Sequence, residues 1–378
     1  MKNATLSASL ARSIVRWFHA QRRDLPWRRT KDPYAIWVSE VMLQQTRVDV
    51  VVPFYERFLS RYPTVQSLAR APMDDVLAQW AGLGYYRRAR QLKAAAESVV
   101  REHAGRIPED EASLRSLPGV GRYTAGALRS IAFGKPAPIV DGNVARVLSR
   151  LFAIPGGPSS RERSAWEAGL WELATALVPA SDPSAFNQGL MELGATVCLP
   201  RSPRCEVCPV ARACKARSLG TQEEFPEARH EAPVTKVELW AFVLEHRGRY
   251  LLRERKDGEH NAGFWEFPTF VAPRRGRRCV EEFLARALSE TLAPVSARAR
   301  IEVAPAAGKP IRHGILRTEY RIVVRPAALL GPEKRAPATS RENGWRWVAA
   351  WELDERRLTS ASRKVARVAS PTSQVGGR

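Results

Sequence analysis

The chain has 378 residues, with 60 Lys and Arg against 39 Asp and Glu, a formal charge of +21 and a pI near 10.5. That length supports two or three domains with cores of their own, and the charge points to a polyanion partner, nucleic acid foremost, over a merely solvated basic surface. The N-terminal MKNATLSASLARSIVRWF holds no long apolar run, so no signal peptide and no membrane span are expected; the chain reads as soluble and cytoplasmic.

Residues 1–217 read as mostly helical. Ile14, Trp17 and Phe18 recur at helical spacing, as do Leu68, Val76, Leu77 and Trp80 across a turn. Prolines are expected to separate helices rather than occupy their middles. In YAIWVSEVMLQQTRV, residues 34–48, Glu40 stands inside a strongly apolar helix. It is either a solvent-facing acid or a buried one, and burial would raise its pKa and make it a proton donor near neutral pH. Gln44 and Gln45 follow within a turn and are expected to add polarity to that face.

LPGVGRYTAGAL, residues 117–128, places Gly119 and Gly121 in a tight turn that opens into a helix near Tyr123 or Thr124. Such a hairpin presents backbone amides that grip phosphate without reading sequence. GKPAPIVDGNVARVL, residues 134–148, delivers Asp141 to the start of an apolar helix. Asp141 reads as a helix cap and, compatibly, as a fixed carboxylate that stays ionised. Then come Cys198, Cys205, Cys208 and Cys214, with six, two and five residues between them, in a polar, proline-rich loop. Thiolates at that density imply a metal centre, either an iron–sulfur cluster or zinc. Cys279 stands apart as a plain thiol.

The polar stretch 218–233 reads as a linker, and 234–360 as a β-rich domain. Two strands are expected in VELWAFVLEHRGRYLLRER, turning at Arg247–Gly248, and another pair from Ile311 to Val324. A further strand is expected in GWRWVAAWEL and a helix at 280–290. Residues 361–378 read as a flexible basic tail.

Taken in order, the hairpin, the Asp-terminated Gly/Pro segment and the C-x6-C-x2-C-x5-C loop resemble the endonuclease III superfamily of helix-hairpin-helix DNA glycosylases. SEVMLQQTRV, GLGYYRRAR, VDGNVARVLSRL and FNQGLMELGATVC resemble its adenine-removing branch. The resemblance implies a multidomain chain: an all-α glycosylase domain with an iron–sulfur loop, then an α+β Nudix-like domain that GFWEFP, residues 263–268, opens. It also implies a [4Fe-4S] cluster on the four cysteines and, as partner, double-stranded DNA with adenine opposite 8-oxoguanine or guanine. A monomer is the default reading. Glu40 is implied as general acid and Asp141 as stabiliser of the sugar cation, with Asn143 and Tyr123 orienting Asp141 and water. Trp27, Arg28 and Gln188 are implied in the adenine pocket, and Gln45, Leu83 and Tyr85 against the duplex. The lyase-competent relatives carry lysine after LPGVGR; here Tyr123 stands there and cannot form a Schiff base, so a monofunctional enzyme is expected. The branch carries a Phe-Ser-His loop after an Arg-His pair. Here Arg312-His313-Gly314 is followed by Ile315, Leu316 and Arg317, which puts 8-oxoguanine selectivity in question. No intact Nudix box is present, so pyrophosphatase activity is not expected.

Overall fold

A computed structural model describes residues 2–227, 234–256, 259, 263–272, 300–315, 317–330, 344–353 and 358–369. Cys279 and the helix expected at 280–290 lie outside them. The chain divides into two compact units, residues 1–231 and 232–378.

The first unit is helical: α1 Lys2–Gln21, α2 Pro33–Leu43, α3 Val48–Arg61, α4 Val65–Arg70, α5 Met73–Trp80, α6 Arg87–Glu102, α7 Glu111–Ser116, α8 Arg122–Ala127, α9 Gly142–Phe152, α10 Arg163–Leu177, α11 Pro183–Thr196 and α12 Lys215–Leu219. It has two apolar centres. Phe58, Trp80 and Leu68 are fully buried among α3–α5, with the Phe58 and Trp80 rings edge to face at 5.8 Å. α1 crosses back to join α9, α10 and α11, where Ile14, Leu148, Leu170 and Phe186 meet. Because α1 and α11 are neighbours, the N-terminus becomes part of the wall beside the later site.

Local chemistry sets the helix ends. Asp32 accepts from the amides of Tyr34 and Ala35 and Pro33 occupies the first position of α2. Asp182 and Pro183 start α11 in the same way. Pro53 departs from the expected pattern and lies inside α3. It is the sixth residue, just past the turn whose amides have no intrahelical partner, so a single backbone bond is lost. Gln44 and Gln45 do not extend the polar face of α2: the helix stops at Leu43, and Gln45 turns to a φ of +57°.

Much of the expected linker packs on the first unit. α12 reaches Leu219, the Arg150 guanidinium donates to the Phe225 carbonyl at 2.9 Å, and the Glu227 amide donates to the Gly156 carbonyl at 3.0 Å.

The second unit is a mixed sheet of β1 Thr235–His246, β2 Arg249–Glu254, β3 Trp265–Glu266, β4 Thr269–Val271, β5 Arg300–Val303, β6 Ala307–Ile315, β7 Thr318–Leu330 and β8 Trp345–Ala349. The order β3-β2-β1-β7-β5 has β1 parallel to β7, with β4 on β1, β6 on β7 and β8 on β2. The expected β1–β2 turn forms at Arg247 and Gly248, both at positive φ. Trp240 to Leu244 are all buried because both faces of β1 are covered, which is why that strand reads as a continuous apolar run. The residues expected to form a flexible tail begin with a helix, α13 Ser360–Ala369. Ala361, Val365 and Val368 recur at helical spacing and pack on the sheet, so apolar burial orders a segment that looks polar by composition.

Candidate active site

Three segments distant in sequence converge on Glu40. Tyr34 through Met42 are buried along α2, leaving Glu40 5% exposed. α8 brings Tyr123, whose hydroxyl donates to Glu40 Oε2 at 2.8 Å and lies 3.3 Å from Met191 Sδ of α11. Burial pushes the Glu40 carboxyl up to about 7. The Tyr123 bond and the Arg28 charge pull it down, and the Asp141 charge adds to the rise. Burial beside the two carboxyls holds the Tyr123 phenol well above its usual range, so it remains a donor.

Asp141 occupies the cap position of α9. Its Oδ1 accepts from the Val144 amide at 2.7 Å and its Oδ2 from Asn143 Nδ2 at 3.2 Å. Burial raises this carboxyl too, against the pull of those donors, which favour the charged form. Glu40 is therefore desolvated with a single donor, and Asp141 is cradled at a helix N-terminus. Two close approaches make the convergence possible. A Cβ on Gly126 of α8 would lie 2.2 Å from the Pro138 carbonyl, and one on Gly194 of α11 would lie 2.6 Å from the Asn143 Cβ.

A guanidinium ladder ties α9 to the cysteine loop. Arg146 donates to Asn143 Oδ1 at 2.9 Å, to the Gly194 carbonyl at 2.7 Å and to the Cys198 carbonyl at 2.8 Å. One turn on, Arg150 donates to the carbonyls of Leu199 and Pro200, with Nη1 3.4 Å from Cys198 Sγ. All four cysteines line one cavity beneath Arg150. Burial, then mutual repulsion, raises the thiols of Cys205, Cys208 and Cys214, Cys208 to about 11, so the thiolates need a strong cationic partner. Among the described residues no three His, Cys, Asp or Glu side chains converge as on a single ion. Four cysteines around one cavity supply the four thiolates that an iron–sulfur cluster takes.

The other expected site residues fall into two groups. Trp27 is buried and meets Tyr55 edge to face at 5.3 Å. Arg28 lies over the Phe18 ring and donates to Glu192 at 2.9 Å. Gln188 stands one turn before Met191 and Glu192 on α11 and donates to Ser184 at 3.1 Å. The second group is on turns. Gly119, at φ +76°, lies in the exposed α7–α8 hairpin; Gly121 is exposed with open space at its Cβ position and has no need of positive φ. Gln45 and Tyr85 are both exposed and both at positive φ. Leu83, expected against the duplex, is 5% exposed.

Sequence reasoning missed Glu192, Arg146 and Arg88. Glu192 is 1% exposed and accepts from Arg23 at 2.7 and 2.8 Å as well as from Arg28. A carboxylate in the apolar run GLMELGA was the available signal, the same one that singled out Glu40.

The model of the HhH-GPD superfamily of base excision DNA repair proteins matches residues 38–172, and that of the iron-sulfur binding domain of endonuclease III matches residues 198–214. The human adenine DNA glycosylase is 36% identical over 94% of this chain and 73% of its own length. Its Arabidopsis thaliana counterpart is 38% identical over 68% of this chain and 47% of its own length. Among solved structures, a thermostable thymine-DNA glycosylase superposes with a TM-score of 0.52 at 33% identity, covering 58% of this chain and all of that one.

Proposed function

The chain belongs to the adenine DNA glycosylases of base excision repair, and from that premise we propose that it hydrolyses the N-glycosidic bond of adenine paired with 8-oxoguanine or guanine, with Glu40 as acid and Asp141 as stabilising anion. The observation that carries this reading is the pairing of two carboxyls in unlike surroundings, Glu40 desolvated under one phenol and Asp141 held by helix-start donors. The division matches the acid-plus-anion logic of glycoside cleavage.

The target adenine leaves the stack at a cost of a few kcal/mol. Glu40 transfers its proton to adenine N7. The C1′–N9 bond then breaks with its electron pair passing to the base, which departs neutral. The positive charge left on the sugar faces Asp141. Water adds to C1′, and its proton passes to the carboxylate that Glu40 has become. Asn143 holds Oδ2 of Asp141, and Tyr123 holds Glu40 rather than Asp141. Trp27, Arg28 and Gln188 line the base pocket. Gln45 and Tyr85 press into the duplex, and the amides of the Gly119–Gly121 hairpin meet phosphate. With tyrosine at 123, no Schiff base forms there and the enzyme is monofunctional.

Cys198, Cys205, Cys208 and Cys214 hold the [4Fe-4S] cluster, which staples the loop that Arg146 and Arg150 join to α9. Arg201, Arg204, Arg212, Lys215 and Arg217 around it offer phosphate contacts. The second unit, taken as Nudix-like, reads the base opposite adenine. Ile315, the first of the positions replacing the Phe-Ser-His loop, ends β6 paired with Thr318 of β7; Leu316 lies outside the described residues.

The test is single-turnover adenine release from matched duplexes with adenine opposite 8-oxoguanine or guanine. Glu40→Gln should slow release by about 10²–10⁴-fold. A variant as fast as the parent would remove Glu40 from the reaction, and equal rates on the two duplexes would remove 8-oxoguanine selectivity.

A further inference from the structure

Among the described residues, Arg88 is the most heavily bonded buried side chain outside the reacting centre. It is 7% exposed and stands in the first turn of α6, where the helix's own positive end disfavours a cation. Burial lowers its pKa to about 10, so the position is costly on two counts. The offset is a set of carbonyls from two separate turns. Nη1 donates to the carbonyls of Val41, Met42 and Gln44, the first two at 3.0 and 2.7 Å. Nη2 donates to Thr46 Oγ1 at 3.0 Å, to the Gly84 carbonyl at 3.2 Å and to the Leu83 carbonyl at 3.5 Å.

The carbonyls of Val41 and Met42 are among the last of α2, which have no intrahelical partner, so Arg88 completes the C-terminus of the helix that carries Glu40. Gln44 and Thr46 flank Gln45, and Gly84 precedes Tyr85. Both Gln45 and Tyr85 are non-glycine residues held at positive φ, +57° and +51°, on exposed turns. Such conformations cost about 1–3 kcal/mol each and persist only where the surroundings enforce them. The Tyr85 ring also lies 5.3 Å from the guanidinium carbon, and the Trp80 indole, 5.6 Å from it, donates to the same Gly84 carbonyl.

We propose that Arg88 is a positioning residue that locks the Gln45 and Tyr85 turns into one rigid two-pronged wedge and fixes that wedge to the end of the Glu40 helix. The inference rests on the reading, given above, that Gln45 and Tyr85 enter the duplex. Base extrusion and proton donation are then held in register by one planar fork, which a lysine cannot reproduce: its single nitrogen cannot span acceptors on two turns.

The experiment uses the full chain with its cluster and a duplex bearing 2-aminopurine in place of the target adenine, opposite 8-oxoguanine. Stopped-flow fluorescence reports extrusion, and single-turnover release on the adenine duplex reports chemistry. Tyr85→Ala, Gln45→Ala, Arg88→Lys and the Arg88→Lys/Tyr85→Ala double variant are compared. The proposal expects each single variant to slow extrusion by tenfold or more. It further expects the double variant to be no slower than about the slower single, since both act through one wedge. The pH limb of release should stay in place, because Glu40 keeps its partners. Extrusion unchanged in Tyr85→Ala and Gln45→Ala would refute the wedge reading and the inference with it. Slowed extrusion in those variants but parental extrusion in Arg88→Lys, or multiplicative effects in the double variant, would overturn the inference while leaving the wedge standing. Should Arg88→Lys not fold, Thr46→Val removes one acceptor of Nη2 and carries the same comparison at a few-fold effect.

Discussion

At the scale of single residues, the contrast between Glu40 and Asp141 gives a measurable signature. Glu40 acts as an acid only while protonated, and its carboxyl sits at about 7. Single-turnover release should therefore fall as pH rises through about 7, rather than through the ordinary glutamate range. Tyr123 supplies the Glu40 bond that pulls this value down. Tyr123→Phe should move the limb to higher pH, read from rates between about pH 6 and pH 9; a limb that stays put or moves down would refute Glu40 as its origin. Glu40 was legible in the sequence because an acid in an apolar helix is unusual. Its partner was not, because a phenol reaches it only when α8 folds across α2.

At the scale of elements, the site is a meeting of helix ends and crossings: the end of α2, the start of α8, the cap of α9 and one face of α11. Glu192 is the ionic joint among them. Burial alone would raise its carboxyl, but Arg23 and Arg28 hold it down at about 2. A depressed carboxyl contributes stability that is fully present above its unfolded pKa, about 4.3, and is lost as pH falls through the folded value. Glu192→Gln should lower stability at pH 7 by about 3 kcal/mol, leaving Arg28 buried beside a neutral amide. The gap from the parent, measured by thermal melting, should narrow between about pH 5 and pH 3 as the parent loses the same contribution; a gap independent of pH would show that the pair is not what stabilises the joint. Elements were read well where one periodicity or one motif defines them, as in α2, the α7–α8 hairpin and the β1–β2 turn. They were misread at α13, where composition suggested a flexible tail while the structure packs Val365 into the apolar cluster beside the sheet.

At the scale of the whole molecule, the charge of +21 is distributed on a DNA-acting enzyme, and affinity should carry that signature. Binding to duplex DNA should fall steeply with salt, by about 10³-fold or more between about 50 and 200 mM if six or more phosphates are neutralised. The slope should be similar for mispaired and fully paired DNA, because phosphate contacts do not read bases. A shallow slope would assign the charge to a solvated surface. Among the described residues no helix is long and apolar enough to cross a membrane.

The sequence by itself determined the chemistry's vocabulary: the cysteine spacing, the acid in an apolar helix, the aspartate at a helix start, and tyrosine in place of lysine at 123. These are local facts, since ligand spacing, capping and nucleophile identity depend on residues close together in the chain. Only the tertiary structure decided the grammar. The Tyr123–Glu40 bond spans 83 positions, the Arg23–Glu192 pair 169, and the reach of Arg88 to Met42 spans 46. A hydrogen bond or a desolvated charge depends on what surrounds it in space, and no periodicity along the chain encodes which distant carbonyl a buried guanidinium will meet.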